Sequence, residues 1–295
     1  MRSRRKRREA AAAYLYLSPS MLVFLVFTIA PAIFVLYIST FNWDFLNQSM
    51  STFVGLGNYA HLFSSANFWH SLWVTLYFVV GSVPLGVFGA LIVAVLLIKP
   101  FRGRGFLRLL FFVPYVTPVV ATSIVWLWLF NPQFGLFNDI LQMVHLPQIG
   151  WVQSVRFAMP SVILYTLWHG IGFNVIIFMS GLTTIPNELG EAARIDGANA
   201  WKEFWSVTWP LLSPTTLFVV IINTVGALQA FTQFFTLTGG GPVNATTTTS
   251  FLLYQEAFIF YRTGYAAALA VVLFALIALL TFAQLRLSRM RTFYQ

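Results

Sequence analysis

The sequence predicts an all-α membrane protein with six transmembrane helices and both termini on the cytoplasmic side. Three observations carry that expectation. Of the 295 residues, 58% are hydrophobic and only 8% charged, against about 25% charged in an average soluble domain, and the mean hydropathy is +0.77. Six apolar stretches, at roughly 14–38, 71–98, 106–130, 157–183, 211–237 and 264–285, are each long enough for a hydrocarbon core, which takes about 20 residues. With both ends inside, the inner segments hold fifteen basic residues and the outer loops only Arg156 and Arg262, the asymmetry that sets orientation in membranes.

Taken in order, residues 1–13 form a basic cytoplasmic end, with six Lys and Arg side chains between positions 2 and 8. That opening resembles a secretory signal, but the apolar run that follows exceeds the about 7–15 residues of a signal core. The stretch 14–38 is therefore expected to be a retained first helix. A long outside loop, 39–70, separates it from a tighter block at 71–285, the expected core of the fold. Gly81, Pro84, Gly86 and Gly89 in the second stretch, and Pro114 and Pro118 in the third, permit kinks and close helix approach. Tryptophans and tyrosines at stretch edges (Trp43, Trp69, Trp73, Trp126, Trp128, Trp151, Tyr261, Tyr265) suit membrane interfaces. Residues 286–295 are a basic cytoplasmic tail.

Several chemistries lack their residues. No cysteine is present, which removes disulfides, thiolate metal sites and a cysteine nucleophile. None of the six stretches contains an acidic residue, which argues against an ion-coupled carrier built on buried carboxylates. The phosphate-cradling loop G-x-x-x-x-G-K-[ST] needs Ser or Thr after its lysine, whereas the three lysines are followed by Arg7, Pro100 and Glu203. The four histidines (His61, His70, His145, His169) have no spacing or acidic company suited to zinc. No cluster of acidic and histidine groups suggests a membrane-embedded transferase. The net charge of +9 is clustered and reads as topology, not as nucleic-acid affinity.

Between the fourth and fifth stretches lies a polar island, 186–214, that holds Glu188, Glu191, Asp196 and Glu203, half of the chain's eight acidic residues. Asn187 is placed to cap a short helix whose first turns carry Glu188 and Glu191, where carboxylates suit the helix dipole. Glu191 and Arg194 are spaced to pair. Ala192 and Ala193 leave room for another surface to approach, and Gly197 supplies a stop. A second helix after Asn199 places Trp201, Phe204, Trp205 and Thr208 on one face, ahead of Pro210 and Pro214. The pattern predicts a helix-turn-helix elbow on the cytoplasmic side, and a helix pair lying in lipid headgroups fits the same residues.

Glu191-Ala192-Ala193, three residues, Gly197, nine residues, then Val207-Thr208-Trp209-Pro210 resembles the EAA loop of ATP-binding-cassette importer permeases, EAA-x3-G-x9-I-x-L-P. Val207 and Trp209 depart from the usual Ile and Leu but stay apolar. Asp196-Gly197-Ala198 and Ile185-Pro186 narrow the resemblance to the carbohydrate-type subfamily. Phe53-Val54-Gly55-Leu56-Gly57-Asn58-Tyr59, the Arg102–Arg108 stretch and Thr238-Gly239-Gly240-Gly241-Pro242 agree, the last being similar to the first permease subunit of maltose- and glycerol-3-phosphate-type systems. The likeness runs from about residue 14 to 290.

The resemblance implies the type I importer permease fold, in the inner cell membrane, and a mechanism. This permease would pair with a second one as a heterodimer. Its elbow, through Glu191, Ala192, Ala193, Asp196, Gly197 and Pro210, would couple to a cytoplasmic ATPase dimer that uses ATP and Mg. An extracytoplasmic binding protein would deliver the solute, and the chain itself would bind no cofactor, metal or nucleic acid and catalyse no reaction. For the solute pathway the candidates are Trp168, His169, Gly170 and Asn174 in the fourth stretch and Gln229 and Gln233 in the fifth, with Trp168 and Gln229 first among them. Hydrogen bonding between helices accounts for the same side chains equally well.

Overall fold

The computed structural model describes residues 14–44 and 48–289. The basic run at 2–8 and Arg291 lie outside them. The chain divides into two compact units, residues 1–65 with 253–275 and residues 66–252 with 276–295. Among the described residues five helices are long and apolar enough to cross a membrane, and a bent pair makes a sixth candidate span.

In the first unit, helix α1 (Tyr14–Ile38) is apolar all round and has none of its most apolar stretch buried. Pro31 lacks the amide hydrogen that would bond one turn back. A π-turn at Leu25–Ile29 precedes it. Strands β1 (Phe41–Asn42) and β2 (Thr52–Phe53) pair antiparallel, Phe41 opposite Phe53. Helix α2 (Gly57–Ser64) follows. The Asn58 amide donates to the carbonyls of Ser39 and Phe41 at 2.9 and 2.8 Å, and Thr263 donates to that of Trp43 at 2.8 Å. These bonds satisfy backbone groups that the two-residue strands leave unpaired.

The first unit also holds a buried carboxylate. Glu256 is only 6% exposed, with Arg262 Nη1 3.5 Å away. Burial pushes its carboxyl above the usual carboxylate range, and Arg262 and His61 pull only partly against it. The folded state therefore holds this proton more tightly than the unfolded chain. That contribution favours folding below the ordinary carboxylate pKa and is lost as pH rises through the raised value. Replacement by the neutral isostere, Glu256→Gln, is expected to raise the thermal midpoint at pH 8 by about 2–4 °C. The gain shrinks at pH 4.5, and thermal unfolding in detergent at both pH values checks it.

The second unit is built on helices α3 (Ala66–Ile98) and α7 (Ala158–Thr183). Small residues let them approach, as membrane helices require. A Cβ on Gly86 or Gly89 would sit 3.5 Å from Leu167 or Ile171, and one on Gly81 would crowd Ile163 at 2.6 Å. Phe78, Val162, Tyr165, Phe178, Leu212 and Phe234 are buried here.

The third expected span is not one helix. Helices α4 (Arg104–Val116) and α5 (Val119–Leu129) meet at 102°. Pro118 is the cause: the residue before a proline is driven out of the helical region, and Thr117 is extended at φ −81°, ψ 137°. Short helix α6 (Leu136–Met143) follows. Trp126, expected at an interface, is only 6% exposed. Its ring packs on Phe130, Phe137 and Tyr165, because α5 turns back into the core.

After α7 come α8 (Asn187–Ile195) and α9 (Ala200–Leu228). The fifth span starts eleven residues before its expected position and ends at Leu228, nine residues before its expected end. Gln229 is its C-cap. Helix α10 (Thr232–Leu237) is separate, then α11 (Thr249–Tyr254) continues as a π-turn, and α12 (Thr263–Arg289) closes the fold.

Candidate functional site

The elbow forms where it was expected, with different local chemistry. Pro186, not Asn187, occupies the N-cap of α8, and no side-chain cap is made there. Glu188 in the first turn and Arg194 in the last both match the helix dipole. The helix stops as Gly197 turns left-handed at φ +81°. Its amide donates to Arg194 O at 3.0 Å and that of Ala198 to Ala193 O at 2.9 Å, a paired closure that depends on a residue tolerant of positive φ. Asn199 Oδ1 then accepts from the Lys202 amide at 2.9 Å and caps α9.

Arg194 does not pair with Glu191. Its Nε and Nη2 donate to Glu203 Oε2 and Oε1 at 2.9 and 3.0 Å, across the turn. A guanidinium fork matches both carboxylate oxygens at once, and this outweighs a single exposed contact along α8. Glu191, Ala192, Asp196, Gly197 and Pro210 are exposed and Ala193 is half-buried. The sequence reading passed over Ile195, which stands 86% exposed beside the turn. The aromatic face is present. Trp205 contacts Trp201, Phe204 and Trp209 at centroid distances of 5.6, 5.3 and 5.6 Å. A π-turn at Phe204–Thr208 leads into Pro210 without interrupting the helix. The second arm of the elbow and the membrane helix are therefore one continuous rod, Ala200–Leu228. Under the elbow runs a groove of about 790 Å³ whose walls include Lys99, Glu191, Arg194, Glu203 and Thr208.

A second feature lies among α3, α4, α7 and α9: a cavity of about 200 Å³ lined by Ser82, Tyr115, Thr166, Gly170, Asn174, Asn223, Gly226 and Gln233, with apolar neighbours. Of the pathway candidates the structure brings Gly170, Asn174 and Gln233 together here. It does not bring Trp168, His169 or Gln229. The Trp168 ring turns to Trp126, 5.2 Å away, because Trp168 lies on the α5 side of α7. The ring Nε2 of His169 donates to Thr117 O at 3.2 Å, a carbonyl freed by the α4–α5 break. Gln229 is exposed at the end of α9.

Asn174 and Asn223 exchange two hydrogen bonds, 3.0 and 2.9 Å, and tie α7 to α9 beside this cavity. Asn174→Leu is expected to destabilise the fold by about 1–2 kcal/mol, since interhelical polar bonds in membranes contribute up to about 1.7 kcal/mol and an orphaned amide adds its own cost. The Asn174→Leu, Asn223→Leu double variant should lose less than the sum of the singles. Thermal unfolding of all three variants in detergent tests this. Tyr115 and Ser82 escaped the sequence reading. Tyr115 is positioned by the α4–α5 break and stacks on Phe173 at 4.7 Å; its place beside Pro114 was the one available signal.

The arrangement offers a lined cavity, an exposed elbow and a long helix running between them. Among the described residues no group of three His, Cys, Asp or Glu could hold a metal ion.

Residues 82–292 match the family model described as binding-protein-dependent transport system inner membrane component. The chain is 35% identical to the trehalose/maltose transport system permease protein MalF of Thermococcus litoralis, covering 98% of this chain and 97% of that one. It is 35% identical to the sn-glycerol-3-phosphate transport system permease protein UgpA of Agrobacterium fabrum, over 95% and 96%. In fold it is similar to a chain of a bacterial alginate ABC transporter crystallised with its alginate pentasaccharide-bound periplasmic protein. The TM-score is 0.86 at 20% identity, with 99% of both chains covered. With these likenesses along nearly its whole length, the chain belongs to the binding-protein-dependent inner membrane components, as a multi-pass permease of the sugar ABC-transporter family and not an enzyme.

Proposed function

We propose that this chain is one permease subunit of an ATP-driven importer that brings a sugar or related carbohydrate-type solute into the cell. It pairs with a second permease in the cell membrane, with both termini in the cytoplasm. The elbow at Glu191–Gly197 docks on an ATPase dimer, which binds and hydrolyses ATP with Mg, and a binding protein delivers solute on the opposite side. The observation that carries this reading is the unbroken helix from Ala200 to Leu228. It joins the exposed elbow to Asn223 and Gly226 in the wall of the cavity, so a displacement at one end reaches the other. Solute would move past Gly170, Asn174, Asn223 and Gln233.

The test is purification of the full-length tagged chain from its own cells. The expected result is recovery of a second permease and an ATPase, with ATP hydrolysis in liposomes stimulated by the associated binding protein loaded with trehalose or with glycerol 3-phosphate. Transport by the chain alone, without ATP hydrolysis, would overturn the proposal.

A further inference from the structure

A rod transmits a push only if its joint does not bend. The elbow joins nine-residue α8 to α9 through four residues, one of them Gly197 in the left-handed region. A helix as short as α8 is marginal by itself, and a glycine turn is where a chain yields most readily. One charged side-chain pair crosses this joint among the described residues: Arg194 of α8 and Glu203 of α9, in two parallel bonds of 2.9 and 3.0 Å. The Glu203 side chain is only 19% exposed although that of Arg194 is 64% exposed. The carboxylate is therefore held over α8, half-buried in the wall of the groove. Gly190 makes room for it, since a Cβ there would stand 2.8 Å from Glu203 Oε1. Lys99, beyond the end of α3, lines the same groove and its charge also acts on Glu203. Two cations from separate segments thus face one carboxylate.

We propose that the Arg194–Glu203 fork is a strut that locks α8 to α9, making the elbow and the long helix a single lever. Arg194, Glu203 and Gly190 are positioning residues in this account, because they act through the joint and not on the solute or nucleotide. The inference rests on the coupling role of the elbow given above. An exposed ion pair with one flexible contact contributes little to holding a geometry. A two-pronged pair with its acid half partly buried fixes both distance and direction, which is what a joint under load requires.

The experiment uses the complete transporter and does not depend on knowing the solute. The chain has no cysteine, so with the cysteines of the other subunits replaced, spin labels placed by Glu188→Cys and Ser206→Cys report the α8–α9 distance alone. Pulsed electron-spin measurements are made without nucleotide and after trapping with ATP and vanadate. The strut predicts one narrow distance, the same in both states. Arg194→Ala broadens it, Glu203→Gln broadens it less, and the exchange Arg194→Glu with Glu203→Arg restores it. The ATP-linked shift in the equilibrium between the two positions of a label on α9 then falls by at least about fivefold in Arg194→Ala, the lower end of coupling between sites. A distance distribution as narrow in Arg194→Ala as in the native complex would overturn the strut, as would a native distance that changes on trapping. A separate single-cysteine chain, Ile195→Cys, is tested for cross-linking to the ATPase. Failure there strikes the coupling role itself, whereas cross-linking with an unaffected joint strikes only the strut.

Discussion

Glu191→Lys is expected to cut solute uptake by the assembled transporter at least about 30-fold while leaving membrane insertion and thermal stability unchanged. The stability half follows from exposure: Glu191 faces solvent on α8, and exposed substitutions usually stay within about 0.5 kcal/mol. Among the described residues Glu191 has no ion-pair partner, since Arg194 is committed to Glu203. Its carboxylate is thus available to a partner surface. Truncating one member of an interfacial charge pair costs about 2–5 kcal/mol, and reversal adds repulsion. At about 1.4 kcal/mol per tenfold change, the lower bound already corresponds to about 30-fold. Uptake should be read beside the amount of chain in the membrane and its thermal midpoint. Undiminished uptake in Glu191→Lys would remove this residue from the coupling surface.

The second large effect concerns the fold itself. Gly172 on α7 faces the backbone of α4 so closely that a Cβ there would collide with the Phe111 carbonyl group and lie 2.8 Å from Phe112 Cα. Backbone atoms of a packed helix cannot rotate away as a side-chain end can. Gly172→Ala must therefore drive α4 from α7, and overpacking of this kind costs about 1–3 kcal/mol and occasionally more. Gly172→Leu should prevent accumulation of folded protein. Gly170→Ala, two residues away on the same helix, is the internal control: a Cβ there meets nothing within 4 Å and Ala is the better helix former, so stability should not fall. Detergent-extracted yield and thermal midpoint of the three chains decide the matter. Equal midpoints for Gly172→Ala and Gly170→Ala would mean that α4 does not press on α7 as described.

The spans were legible because length and hydropathy are additive along a chain. Ala158–Thr183 and Thr263–Leu287 lie within three residues of the expected bounds for the same reason. The α4–α5 break was half legible. Pro118 was noted as a kink, but hydropathy is blind to direction and could not say that a proline would turn the chain by 102°. That turn decides where Trp126 and Tyr115 go, so both were misread or missed.

The elbow was legible because a helix stop, a cap and a run of acidic residues are local signals. Its ion pair was not, since Glu191 and Glu203 are both within reach of Arg194 and only the fold of the turn selects between them. The cavity was the hardest part. Trp168, His169, Gly170 and Asn174 occupy consecutive turns of α7, and choosing among them requires knowing which face of that helix meets α3 and α9. Gly81, Gly86 and Gly89 carried that information in part, because they mark the α3 face that Ile163, Leu167 and Ile171 fill.

Coupling of this kind requires that the elbow touch a motor protein. A photo-reactive amino acid in place of Ile195, 86% exposed at the end of α8, tests that contact directly in the intact transporter within native membranes. The expected result is a covalent adduct with the ATPase subunit whose yield changes when ATP is added. Adducts with lipid alone, in the presence and absence of ATP, would contradict it.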